Sequence, residues 1–172
     1  MTDLADVILR LGAATLIGAA IGLNRDLRGK PIGVRTLGLV GLASAIAILA
    51  VAPSGGGSVN SVDATSRVIQ GVLTGIGFLG AGVIMRRSID NRVHGLTSAA
   101  SAWTTACLGL VCGLAAWPIV ATGVLLVFVL LIFGGPFERR CHRLLGQHLR
   151  RAAGHEAAEE AETSLERIDR QS

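Results

Sequence analysis

Charge is scarce in this chain. Of 172 residues only 16% are Asp, Glu, Lys or Arg, 51% are hydrophobic and tyrosine is absent; with its positive mean hydropathy, this balance lies outside the range of soluble domains. A water-soluble globular fold is thereby excluded, and a multi-pass membrane protein is what the composition leaves. Cysteine is also scarce. Cys107, Cys112 and Cys141 have no metal-ligand spacing, and the first two lie in an apolar run where a free thiol behaves as a small hydrophobe. No zinc site, disulfide framework or other cofactor is expected. No nucleophile, base and orienting group can be assembled at either membrane face, so catalysis is not expected either. The amino-terminal MTDLAD is acidic where a secretory leader would be basic, so no cleavage is expected there.

What is present is a series of apolar runs separated by short arginine clusters. Membrane topology explains such clusters, and the net charge of +4, before nucleic acid does. No nucleic-acid partner is expected. The runs predict an all-α membrane domain over residues 1–137 with five transmembrane helices, at about residues 4–23, 36–52, 68–85, 96–116 and 119–133. The last two come from a stretch without formal charge over residues 93–137, divided at Trp117-Pro118. Arg25, Arg28, Lys30 and Arg35 against Asp26 mark the first loop as cytoplasmic, and Arg86, Arg87 and Arg92 against Asp90 mark the third. The N-terminus is then outside and the C-terminus cytoplasmic. Hydroxyls crowd the fourth span, at Thr97, Ser98, Ser101, Thr104 and Thr105, whereas the fifth is mostly Val, Leu, Ile and Phe. Protein contact is expected for the fourth and lipid contact for the fifth.

Thr74 to Arg87, TGIGFLGAGVIMRR, contains the letters G-x-G-x-x-G at Gly75, Gly77 and Gly80. A dinucleotide loop would need a preceding strand, a soluble helix behind it and an acidic residue about 20 positions on. None is visible, and the stretch reads as a transmembrane helix whose small residues admit neighbouring helices. Gly71, Gly75 and Gly82 fall on one face with Phe78, and Gly77 and Gly80 form a second patch; Gly18 and Gly22 are similarly spaced in the first span. Leucine at Gly75 or Gly82 is expected to disrupt that packing.

Few polar residues interrupt the spans. Arg10 stands four residues after Asp6 and is read as reaching the nearer interface and pairing with it. Asp63 and Arg67, also four apart, are read as a local ion pair or cap at the outer mouth of the glycine-rich helix, with a cation entry site as the functional alternative. Asn24, Arg25, Asp26, Arg35, Gln70, Thr97 and Ser101 complete the candidate functional polar set. Over residues 138–172 a cytoplasmic tail is expected: a basic amphipathic helix on anionic lipid, then an acidic and disordered end.

Several separated motifs carry a family resemblance. Gly22-Leu23-Asn24-Arg25, Gly33-Val34-Arg35-Thr36, Arg67-Val68-Ile69-Gln70-Gly71, TGIGFLGAGVI at residues 74–84 and Val93-His94-Gly95-Leu96-Thr97-Ser98-Ala99-Ala100-Ser101 are similar to the MgtC/SapB membrane proteins. The resemblance implies a five-span protein of the bacterial inner membrane, linked to growth under magnesium limitation, survival inside host cells, and control of membrane potential and the ATP synthase. It departs at Asn24, where the family commonly has an acidic residue, and in the tail, which leads to the expectation of a short member lacking the cytoplasmic regulatory domain of longer ones. An accessory regulator is therefore expected, acting through a membrane-protein partner or a homo-oligomer within the lipid. The alternative is an ion or small-solute permease, which lacks the mid-membrane acidic residue that a cation path needs.

Overall fold

The computed structural model of the protein describes residues 3–51, 59–86 and 93–135. The expected tail helix, its acidic end and the loops at residues 53–58 and 87–92 lie outside the described residues. Five helices account for most of what is described: α1 (Leu4–Asp26), α2 (Val34–Leu49), α3 (Val59–Val83), α4 (Leu96–Gly113) and α5 (Trp117–Gly135). Between α3 and α4 the chain makes one antiparallel pairing of two residues on each side, β1 (Met85–Arg86) with β2 (Val93–His94). The fold is all-α in its working parts. Four helices are long and apolar enough to cross a membrane, while α2 is a shorter apolar helix of 16 residues, about 24 Å at 1.5 Å per residue.

Helix boundaries follow local chemistry more closely than apolar runs. Helix α2 starts at Val34 because Gly33 is its N-cap and the Asp26 carboxylate accepts the Val34 N–H at 2.9 Å. Helix α3 begins well before the uncharged run at residue 68, since Asp63 and Arg67 lie on its first turns and pair there. Its 25 residues span about 37 Å, more than a hydrocarbon core of roughly 30 Å. Helix α4 ends at Gly113, three residues before the expected break, and not because of Pro118. Ala115 adopts a left-handed φ of 56°, its N–H meets the Cys112 carbonyl, and the Ala116 N–H meets that of Val111. Those two bonds close a Schellman motif. Pro118 instead falls in the first turn of α5, where no N–H is required.

The interior is built from small side chains. Helices α1, α2 and α4 pack together, with Ala14, Ala45, Cys112 and Val120 at the centre of one cluster and Ile21, Leu37 and Ile48 fully buried beside it. Close approach is set by glycine. A Cβ on Gly18 would strike the Leu37 carbonyl of α2, one on Gly41 would lie 2.5 Å from the Ala14 carbonyl oxygen of α1, and one on Gly109 would strike the Gly41 carbonyl. Backbone therefore touches backbone at α1–α2 and α2–α4, the arrangement small residues permit in membranes. Of the long helices α4 is the most enclosed, with 56% of its most apolar window buried, and α5 the least, at 6%. The contacts divide the chain into Met1–Phe128, which holds α1 to α4 and α5 up to Phe128, and Val129–Ser172. The described part of the second is the end of α5, where Leu130 and Phe133 are exposed.

Candidate functional site

The last turn of α1 carries the densest polar chemistry among the described residues. Arg25 is only 4% exposed although it is charged, and its Nη2 donates to Ser98 Oγ at 2.7 Å. Ser98 lies in the first turn of α4 and is itself buried. This bond ties the end of α1 to the start of α4. One residue on, exposed Asp26 holds the start of α2, and a Cβ on Gly33 would have to displace its carboxylate. Gly22 completes the corner, since a Cβ on it would lie 2.6 Å from the Val34 Cα. Three helix ends thus meet at residues 22–26. Asn24 Oδ1 and Arg25 Nε are buried there without a hydrogen-bond partner.

Gly95 sets the entry to α4. Its φ of 94° is left-handed, and a Cβ would strike the Val83 carbonyl at the end of α3. Only glycine fits both demands. At the opposite end of α4 a second arginine of α1 is at work. Arg10 Nε donates to Asp6 Oδ1 at 3.0 Å, as its spacing predicts, and Arg10 Nη1 donates to the Gly113 carbonyl at 2.9 Å. Gly113 is the last residue of α4, so the guanidinium supplies a cation and a donor at the negative end of the helix.

The other sequence candidates are dispersed. Arg67 and Asp63 pair at 3.0 Å with side chains 76% and 62% exposed, and Gln70, Arg35 and Thr97 are exposed at separate places. Ser101 is buried, and its hydroxyl donates back to the Thr97 carbonyl at 2.7 Å. The hydroxyls of Thr15, Ser44, Thr104, Thr105 and Thr122 bond in the same i−4 fashion to their own helices. Among the described residues no group of three or more His, Cys, Asp or Glu is placed to hold a metal.

The glycines expected to pack helices divide in two. Gly18 and Gly22 lie in tight contact and Gly80 faces Ala99 of α4, with 3.5 Å to its Cβ, but Gly71, Gly75, Gly77 and Gly82 have open space where a side chain would stand. The expectation that leucine at Gly75 or Gly82 would break packing within the chain is corrected accordingly. All four are exposed on α3, Gly71, Gly75 and Gly82 on the side of Phe78, which is 82% exposed, and Gly77 on another side. An apolar groove of about 650 Å³ runs along that side between α2 and α3, with Leu39, Val40, Gly75, Ile76 and Leu79 in its walls. Sequence reasoning missed Gly41, Gly95, Gly109 and Gly113 as structural contacts, and it placed Ser98 on a protein-facing helix without naming Arg25 as its partner. The four-residue spacing of Gly109 and Gly113 carried the same signal as Gly18 and Gly22. Nothing in the sequence marked Gly41 against Ala14.

A bundle of apolar helices, closed by backbone contacts and by arginines at helix ends, defines a multi-pass membrane protein. Comparison with known sequences supplies the family. Residues 11–140 match the sequence model of the MgtC family, and the chain belongs to it. It is 42% identical over 144 residues to the protein SrpB of Synechococcus elongatus, covering 80% of this chain and 78% of that one. It is 43% identical over 107 residues to the protein MgtC of Salmonella typhimurium, covering 62% of this chain and 43% of that one. YhiD of Escherichia coli (strain K12) is 42% identical over 113 residues, covering 63% of this chain and 51% of its own length. The chain thus spans about half the length of the last two. No solved structure matches it.

Proposed function

We propose that the protein is an accessory regulator of the inner membrane that docks a transmembrane helix of another membrane protein on α3 and alters ion or proton flux indirectly. It is not an enzyme in this reading. The observation that carries it is the outward glycine face of α3. Three glycines, Gly71, Gly75 and Gly82, share a face with open space beside them, and Gly75 also lines the apolar groove, which leaves a backbone accessible to a foreign helix. The family's association with magnesium limitation, membrane potential, the ATP synthase and intracellular survival is carried to this chain as part of the same proposal. So is its orientation, N-terminus outside and C-terminal tail inside, on the Lys/Arg bias.

The permease reading has one point in its favour, since the name of the E. coli relative proposes it as a magnesium transporter. Against it stands the turning of the buried hydroxyls onto their own helices, which leaves a passing ion few ligands. Vesicles containing the purified chain alone and a magnesium-sensitive dye discriminate the two. We expect magnesium entry equal to that of protein-free vesicles, unchanged by Asp63→Asn. Saturable entry that Asp63→Asn diminishes would replace the regulator with the permease.

A further inference from the structure

Where α1 ends and α4 begins, the described side chains offer more donors than acceptors, and the Leu23, Arg25 and Asp26 carbonyls at the end of α1 are taken by N–H groups of residues 27–30. The buried guanidinium of Arg25 spends Nη2 on Ser98 Oγ and leaves Nε without a partner. It sits at the start of an 18-residue helix, the end at which free backbone N–H groups and the helix dipole already present positive charge. Gly95, the N-cap, has no side chain with which to satisfy those N–H groups. The adjacent acid, Asp26, is bound to α2 through the Val34 N–H. Among the described residues the two ion pairs are Asp6 with Arg10 and Asp63 with Arg67, so none neutralises Arg25. Arg28, Lys30 and Arg35 follow in the sequence and add positive charge. One acceptor is spare, the buried Asn24 Oδ1.

We propose that this corner is a binding site for a phosphate group bearing a P–OH, as in hydrogen phosphate or a phosphate monoester. The charged oxygens accept from Arg25 Nε and from the first-turn N–H groups of α4, and the P–OH donates to Asn24 Oδ1. A water molecule could bridge one donor to that acceptor, but it brings no charge to offset a buried guanidinium at a positive helix end. Sulfate brings charge without a donor at neutral pH. A monoester or hydrogen phosphate supplies both, once the exposed Thr97 and the half-buried Asn24 side chains move to admit it. The same chemistry is offered by free phosphate and by the monoester headgroup of phosphatidic acid.

The test uses the full chain in phosphatidylcholine nanodiscs and follows thermal unfolding as inorganic phosphate is raised, against chloride and sulfate at equal ionic strength. Phosphate alone is expected to raise the midpoint with the logarithm of its concentration above its dissociation constant, by about 5 °C at a hundredfold excess. Arg25→Lys keeps the charge but lacks Nε, and Asn24→Asp places a carboxylate in the corner. Both should remain folded and lose the response. In a second arm, part of the lipid is replaced by phosphatidic acid without added phosphate. A raised midpoint that phosphate does not raise further assigns the lipid headgroup, and a response to inorganic phosphate only assigns the free anion. No response in either arm, or a response equal in both variants, would overturn the proposal.

Discussion

Gly109→Leu is expected to leave almost no folded protein in detergent extracts, while Gly75→Leu is expected to be recovered at wild-type yield. The two positions are helical glycines in apolar surroundings, yet their outcomes separate because of what stands opposite. A Cβ on Gly109 meets the Gly41 carbonyl oxygen and lies 3.0 Å from Ser44 Cβ. Backbone cannot swing aside as a side chain can, so α2 and α4 must part along their length, and with them the contact of Gly41 on Ala14. Overpacking costs about 1–3 kcal/mol where side chains can give, and a cost above that range consumes much of a total stability of roughly 5–15 kcal/mol. A Cβ on Gly75 would meet no atom of another helix within 4 Å, and the change should stay within about 0.5 kcal/mol. Equal loss at both positions, read by size-exclusion yield and thermal unfolding, would mean that the Gly75 face of α3 packs within the chain.

The second large effect is expected at Arg10. Among the described residues two Asp–Arg pairs share the same spacing, and their costs should differ severalfold. Arg10→Met removes the pairing with Asp6, whose side chain is 33% exposed, and strips the Gly113 carbonyl of its donor. A hydrogen bond from a charged group is worth about 1.5–3 kcal/mol, and a carboxylate left half-enclosed adds to the loss. Arg67→Met removes only an exposed pair, for which about 0.5 kcal/mol is typical. Chemical unfolding of both variants in one detergent provides the comparison. Arg10→Met should lower stability by about 2–3 kcal/mol and Arg67→Met by under about 0.5 kcal/mol. Similar costs would show that the bond to α4 contributes nothing.

The number and order of helices were legible because a hydrocarbon core demands long uncharged runs, and the arginine clusters and Trp117-Pro118 separate them. Local pairs were legible for a similar reason: four-residue spacing alone brings Arg10 to Asp6 and Arg67 to Asp63. What composition could not reveal was anything set by the neighbouring helix. Arg10 reaches Gly113 and Arg25 reaches Ser98, partners 103 and 73 residues away, and no periodicity announces them. The same holds for glycine. Spacing identifies which glycines share a face, but only the packing of α1, α2 and α4 decides that Gly18, Gly41 and Gly109 meet a backbone while Gly71 and Gly75 do not. Helix ends also departed from the apolar runs. The end of α4 depends on the left-handed Ala115 and the start of α2 on the Asp26 carboxylate, and both are local geometry that hydropathy does not register.

The central claim is that α3 turns an accessible backbone face toward another protein within the membrane. A photo-crosslinking analogue of phenylalanine at Phe78 tests it in native membranes, with the same analogue at Leu130 of α5, also largely exposed, as the control. The account predicts a protein adduct from Phe78 and none from Leu130, with the adduct's mass separating a second copy of the chain from a different partner. Adducts to lipid alone at both positions would contradict it.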